Sequence, residues 1–326
     1  MRLGRNLLAG LAGSAWTGIV SLAATPFYLT LLGIESFGMI GFFMTLQALM
    51  SLLDVGLSPT MNREVARSLA AGDLVPVRCL LHSLGNLYCL VALCIGAAVV
   101  LAAPWLVEHW LRVQSIPLPN LMQAVVLMGL AIAARWPAGL FLAATNGSQR
   151  LVLTSSLSAA YATTAAVGAI LLLSGYAATL EVYFAWQLLA AAAYTLALRK
   201  AAWASLKGRE GAKFSFSEVR RVWRFSAGMG LIAVSSVVFT QLDKTLLSRM
   251  LDLAAFGRYM LAWMVAGSLY LLVTPVFNAV YPRFSALVAA GDQARLRELY
   301  RLGTRFMATL VFPLAMVLAM FAEQVV

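Results

Sequence analysis

Apolar runs of about 20 residues or more follow one another along almost the whole chain. A helix rises about 1.5 Å per residue, so about 20 apolar residues cross a hydrocarbon core of about 30 Å. The runs do not alternate between apolar and polar residues, as the strands of a membrane barrel would. With 62% hydrophobic and 11% charged residues, the chain has too little polar surface for a water-soluble domain. The sequence therefore predicts an all-α polytopic membrane protein.

Nine spans are predicted, with short loops between most of them. They cover residues 7–32, 37–55, 81–106, 121–142, 151–173, 180–198, 225–250, 256–276 and 304–325. An amphipathic stretch, 59–73, follows the second span. The segment 199–224 is polar and holds eight Lys and Arg residues. We predict an N-terminal six-helix bundle over 1–198, a basic cytoplasmic linker over 199–224, and the first three helices of a second bundle over 225–326.

A tandem repeat supports this division. At one ungapped offset of 219 residues, Phe37-Gly38 matches Phe256-Gly257, and the sequence AAGD at 70–73 matches 289–292. The same offset pairs two small polar stripes at helical spacing, Ser236, Thr240 and Lys244 with Thr17, Ser21 and Thr25. A unit of six helices is even, so its copy enters the membrane in the same direction and the repeats are parallel. Residue 326 matches residue 107, so the predicted second bundle stops after three helices.

The basic residues predict the orientation of the chain. Nineteen of the 24 Lys and Arg residues fall in segments that share a side with the N-terminus, and three fall in loops on the other side. Cytoplasmic loops carry the excess of Lys and Arg, so the N-terminus is expected in the cytoplasm. This placement also accounts for the net charge of +11 without a nucleic-acid partner. The three cysteines fit neither disulfide nor metal spacing, and we expect no cofactor and no metal.

Ionisable residues inside spans are costly, so they are the first candidates for function. Arg135 lies near the middle of the fourth span. Its planar fork of donors suits a phosphate, although pairing with Asp54 or with a carbonyl freed by Pro137 is the alternative. In the seventh span, Lys244 could attract an anionic headgroup and Asp243 could take a proton or a sodium ion. The two are adjacent and need not pair; Lys244 could instead reach the membrane interface.

Other polar residues have more structural interpretations. Thr240, Ser236, Thr17, Ser21 and Thr25 form the two polar stripes and are candidates for lining a wet cavity. Gln47 is a candidate for an interhelical hydrogen bond or for the same cavity. Asp54 closes the second span and is expected to order the segment that carries Asn62 and Arg63.

Several runs of residues together resemble a known family. They are LGIESFG at 32–38, LDVGL at 53–57, NREVAR at 62–67, RWP at 135–137, NGSQR at 146–150 and QLDK at 241–244. In this order they resemble the polysaccharide exporters of the MOP (multidrug/oligosaccharidyl-lipid/polysaccharide) superfamily, and most closely the Wzx-type O-antigen flippases. The resemblance covers essentially the whole chain. Helices ten to twelve of that family are absent from this sequence.

The resemblance implies two bundles around a V-shaped cavity whose basic residues meet the pyrophosphate of an undecaprenyl-linked oligosaccharide. Arg135 and Lys244 would then line the cavity, and Asp243 would couple transport to H⁺ or Na⁺. The expected location is the bacterial inner membrane, with membrane lipids and polysaccharide polymerase or ligase machinery as partners. The alternatives are a cation-coupled multidrug antiporter of the same fold, a membrane enzyme acting on lipid-linked sugar, and an inert fragment. An antiporter would need acidic residues in the first bundle, and an enzyme a large outer loop.

Overall fold

The computed structural model describes residues 2–111, 116–270 and 292–320. Seven helical stretches of this part are long and apolar enough to cross a membrane. The prediction of an all-α polytopic membrane protein is confirmed. The helices are α1 (Arg2–Met50), α2 (Leu57–Ala71), α3 (Val75–His109), α4 (Leu118–Arg135), α5 (Ala138–Gly147), α6 (Leu151–Gly175), α7 (Leu180–Ser205), α8 (Phe216–Met250), α9 (Leu253–Gly267) and α10 (Gln293–Met320).

Helix α1 contains the first predicted span and residues 37–50 of the second, joined at Gly33; residues 51–54 of the second span form a short 3-10 helix. Gly33 has φ 79° and ψ 170°, a conformation that only glycine adopts readily. A continuous helix would hold Tyr28 and Phe43 about 22 Å apart. Instead, their rings contact those of Tyr183 and Phe184, which are neighbours at the start of α7. The chain therefore turns at Gly33 into a first arm (2–32) and a second arm (34–50).

The fourth predicted span is also two helices, because α4 ends at Arg135 and α5 begins after Pro137. Proline has no N–H and cannot continue the hydrogen-bond ladder of a helix. The Thr195 hydroxyl of α7 donates to the Ala134 carbonyl at 2.7 Å, and the Trp136 indole donates to the Met50 carbonyl at 3.0 Å. A side chain of the neighbouring helix α7 thus donates a hydrogen bond to a backbone carbonyl at the helix break.

We call the two ends of the bundle the Gly33 end and the Asp54 end, after the turns that mark them. A buried apolar cluster from α2, α3, α5, α7 and α8 fills the Asp54 end. The predicted linker 199–224 is largely helical, since α7 continues to Ser205 and α8 begins at Phe216. Arg78 holds the turn between them by donating to the carbonyls of Leu206, Lys207 and Glu210 at 2.9–3.3 Å.

Two helix starts occupy matching positions of the predicted repeat. Asp73 accepts from the Val75 N–H at 3.1 Å as α3 begins. Asp292, 219 residues later, accepts from the Arg295 N–H at 3.1 Å as α10 begins. Helix α10 therefore starts eleven residues before the predicted ninth span. Residues 271–276 of the predicted eighth span and 321–325 of the ninth lie outside the described residues.

At the Gly33 end, α1 meets the start of α9 through two glycines. A methyl group on Gly38 would overlap the Leu253 carbonyl oxygen, and one on Gly257 would overlap the Ile34 carbonyl oxygen. At the offset of 219 residues, Ile34 corresponds to Leu253 and Gly38 corresponds to Gly257. The contact of Gly38 with Leu253 therefore corresponds to the contact of Gly257 with Ile34. A two-fold axis passing between the glycines would produce this reciprocity, which favours the predicted repeat.

Backbone contacts group the chain into two compact units, Met1–Gly257 and Arg258–Val326. All the contacts of the candidate site described below lie within the first unit. The bundle boundaries 1–198 and 225–326 come from the repeat, and they stay a prediction.

Candidate functional site

Arg135 lines a cavity of about 380 Å³ between α1 and α4. The helix break at Trp136-Pro137 places the guanidinium in the last turn of α4, toward the Asp54 end. Arg135 Nη1 donates to Gln47 Oε1 at 3.2 Å. The remaining walls of the cavity come from Met44, Ala48, Ser51, Ile132 and Trp136. The site thus combines a mostly apolar lining with one half-buried cation.

Two stacked tyrosines support the guanidinium from the side of α6 and α7. Arg135 Cζ lies 4.9 Å from the centre of the Tyr161 ring. The Tyr161 ring stacks on Tyr194 at 4.5 Å, with 20° between the ring planes. The Tyr194 hydroxyl shares a hydrogen bond with Ser158 at 2.9 Å. An aromatic face attracts a cation without neutralising it, so Arg135 is held in place with its charge intact.

Among the described residues, no carboxylate pairs with Arg135. The pairing with Asp54 that the sequence allowed is not what the structure shows. Asp54 instead accepts from the Tyr88 hydroxyl and, at 2.7 Å, from the Ser58 hydroxyl. The half-buried cation of Arg135 therefore has no carboxylate among the described residues to neutralise it.

Gln47, on the second arm of α1, uses only one side of its amide. Its carbonyl oxygen faces Arg135, which can only donate, so its amide nitrogen faces the other way. That nitrogen is buried and has no hydrogen-bond partner among the described residues. Gln47 thus makes an interhelical hydrogen bond and also carries a buried donor that is unused among the described residues.

Lys244 and Asp243 do meet, although they are adjacent in sequence. Lys244 is 3% exposed, and its Nζ lies 3.3 Å from Asp243 Oδ1. The same ammonium donates to the Thr240 carbonyl at 2.5 Å. The long lysine stem folds back along α8, which lets neighbouring residues pair. Asp243 is about half exposed, so one partner is buried and the other is open to its surroundings.

The two predicted polar stripes share their backbone chemistry. Thr25 is buried and donates to the Ser21 carbonyl at 3.0 Å, as Lys244 does to Thr240 at the matching positions. Ser236, Thr240 and Ser21 are exposed, and Thr17 is half-buried and donates to the Ser14 carbonyl at 2.8 Å. In both stripes the last residue is buried and the residue four positions before it is exposed.

The residues predicted to order the cytoplasmic side lie together at the Asp54 end. The Asp54 carboxylate accepts from the Ser58 N–H in the first turn of α2, the helix that carries Asn62 and Arg63. Both of these residues are exposed. Arg63 lies over the Phe225 ring of α8 at 4.3 Å.

Sequence reasoning missed three contributors. Tyr161 supports Arg135, Tyr88 contacts Asp54, and Arg221 of α8 pairs with the buried Glu64 of α2 at 3.1 Å. Tyr161 is the single aromatic residue in a helix rich in Ala, Ser and Thr, and this contrast was the signal available. The Glu64–Arg221 pair joins residues 157 positions apart, which no local pattern could reveal.

The model of the polysaccharide biosynthesis protein family matches residues 3–288 of this chain. The chain belongs to that family. Membership in the polysaccharide biosynthesis protein family, one of transporters and flippases, supports a role in the export of polysaccharide or lipid-linked sugar in general. The family and the long apolar helices together establish a multi-pass membrane protein.

No curated protein matches the sequence significantly. A solved chain titled "protein A" is similar in structure, with a TM-score of 0.68 and 14% sequence identity. The match covers 99% of this chain and 73% of that chain. At this identity the likeness concerns the fold alone.

Proposed function

We propose that the protein is a flippase that moves undecaprenyl-pyrophosphate-linked oligosaccharide across the bacterial inner membrane by alternating access. The observation that carries the proposal is Arg135, a half-buried guanidinium at a cavity that holds no carboxylate partner for it among the described residues. A pyrophosphate presents several acceptor oxygens to the planar fork of an arginine. The weakly polar surroundings strengthen that attraction compared with water.

The position of the cavity suits a substrate that enters from the cytoplasm. With the N-terminus inside, as the distribution of Lys and Arg predicts, the Asp54 end is cytoplasmic, and Arg135 lies between that end and the middle of the bundle. The lipid tail stays in the bilayer while the headgroup passes the cation. The reciprocal contact of Gly38 and Gly257 then lies at the periplasmic end, where rocking of the two bundles would open and close the path.

Asp243 and Lys244 serve in this proposal as a second, self-neutralised site. In the arrangement observed, Asp243 satisfies the buried ammonium, so Lys244 is not available to a headgroup. Protonation of the half-exposed Asp243, or its binding of Na⁺, would release Lys244 for the substrate and so couple ion movement to transport. Delivery to polysaccharide polymerase or ligase machinery on the far side completes the proposed role.

The test is transport of a lipid-linked oligosaccharide in vesicles that contain the purified protein. Arg135→Ala removes a pair of charge-assisted hydrogen bonds, which are worth about 3 kcal/mol, so transport should fall about 100-fold. Arg135→Lys keeps the charge without the fork and should give an intermediate rate.

Arg209→Ala is the matched control, because Arg209 also lies over an aromatic ring, that of Trp203 at 4.9 Å, but is exposed and outside the cavity. Lys244→Ala should also slow transport. Wild-type rates in both Arg135 variants would exclude the proposed headgroup contact.

A further inference from the structure

Gln47 forms a hydrogen bond through only one of the two polar atoms of its side-chain amide. Its oxygen accepts from Arg135 Nη1 at 3.2 Å, and the nitrogen on the same carbon is buried without a partner in the described part of the chain. An unsatisfied buried donor costs free energy until an acceptor reaches it. Because the oxygen and nitrogen share one carbon, rotation of the amide would bring the nitrogen to the place of the oxygen, beside the Arg135 guanidinium. One acceptor could then receive hydrogen bonds from both residues.

We propose that Gln47 is the specificity-determining partner of Arg135, donating through Nε2 to a second oxygen of the phosphate or pyrophosphate that Arg135 holds. This deepens the proposed function and rests on it. The ligand that satisfies both groups carries negative charge and at least two acceptor oxygens close together. A neutral sugar lacks the charge, and an organic cation lacks the acceptors. The geometry therefore selects an oxyanion.

The amide also sets how firmly Arg135 is held when the cavity is empty. A neutral carbonyl oxygen is a weaker acceptor for a guanidinium than a carboxylate. An arriving phosphate can thus displace the Gln47 oxygen or share the guanidinium with it. A glutamate at position 47 would occupy Arg135 permanently and would repel the phosphate, so it would oppose binding in two ways.

Binding is measured with the full-length protein in nanodiscs, with polyprenyl pyrophosphate in the bilayer as one probe and inorganic pyrophosphate in solution as the other. Gln47→Met keeps the length of the side chain without polar atoms and should weaken binding about ten-fold. Gln47→Glu should weaken it further. Equal losses of affinity for both probes in the Gln47 variants indicate recognition of the phosphate group itself. Binding of the lipid probe alone indicates that the polyprenyl chain must anchor the headgroup. Either pattern supports the proposal if the binding depends on Gln47.

Thermal unfolding without ligand distinguishes this role from a structural one. Gln47→Met removes an unsatisfied buried donor but also the acceptor of the 3.2 Å hydrogen bond from Arg135. The two effects oppose each other, so the melting temperature should change little. Gln187 is the matched control, because it is buried in α7 and its amide donates to the Ala165 carbonyl at 3.5 Å. Gln187→Met should lower the melting temperature and leave pyrophosphate binding unchanged.

Two outcomes overturn the proposal, and they are distinguishable. If Arg135→Ala abolishes binding while Gln47→Met and Gln47→Glu bind as the wild type does, Arg135 acts without Gln47, and only this inference fails. If the wild type binds neither probe, the proposed function fails with it.

Discussion

The reciprocal contact of Gly38 and Gly257 allows a quantitative test of the rocking motion. Gly38→Ala places a methyl group against the Leu253 carbonyl oxygen, and Gly257→Ala places one against the Ile34 carbonyl oxygen. These are backbone atoms and cannot rotate away as a side chain can. Overpacking of this kind costs about 1–3 kcal/mol. If the contact exists only while this end of the bundle is closed, each substitution should shift the population toward the open state about 5- to 150-fold.

The assay is thiol labelling at the Gly33 end. Ser36→Cys, in a chain whose own cysteines (Cys79, Cys89 and Cys94) are replaced by serine, puts a reporter at a position that is 8% exposed. A membrane-impermeant maleimide should label it slowly in the parent. Gly38→Ala and Gly257→Ala should both raise the labelling rate, because each places a methyl group against a backbone carbonyl oxygen on the other side of the same contact.

Gly228→Ala is the matched control, since a methyl group there has nothing within 4 Å and Gly228 lies in the interior of α8. It should leave labelling unchanged. The double variant should exceed either single variant by little, because the first substitution already separates the surfaces. Unchanged labelling in both single variants, or an effect in only one of them, would refute the reasoning from symmetry.

Two further predictions concern the Asp54 end. Arg221→Ala leaves the buried carboxylate of Glu64 without its partner at 3.1 Å and should lower the free energy of unfolding by about 1–3 kcal/mol. Denaturation in detergent should show this loss. The control variant Arg220→Ala, at an exposed position, should show almost no loss. Arg78→Ala removes the donors to the turn at 206–215 and should speed proteolytic cleavage there about ten-fold or more. Unaltered cleavage would mean that the turn is ordered without this arginine.

Much of the fold could be predicted because the membrane leaves few choices. Apolar runs of about 20 residues must be helices there, since the bilayer offers no partners for free backbone groups. The same constraint made the isolated Arg135 conspicuous. Helix breaks were harder to predict: Gly33 turns α1 with one residue, and Pro137 divides a single apolar run. The break at Pro137 has partners on other helices, Thr195 of α7 and Met50 of α1. The arms on either side of Gly33 pack on Tyr183 and Phe184 of α7.

The sequence by itself determined the helical class and the spacing of the two polar stripes, because these depend on composition and on spacing along one chain. Only the tertiary structure decided which groups face Arg135. Gln47, Tyr161 and Arg135 lie on three helices, and nothing local specifies that an amide and an aromatic ring, rather than Asp54, complete the site. The physical reason is that a half-buried cation takes the partners that packing brings within reach, and packing is a property of the whole bundle.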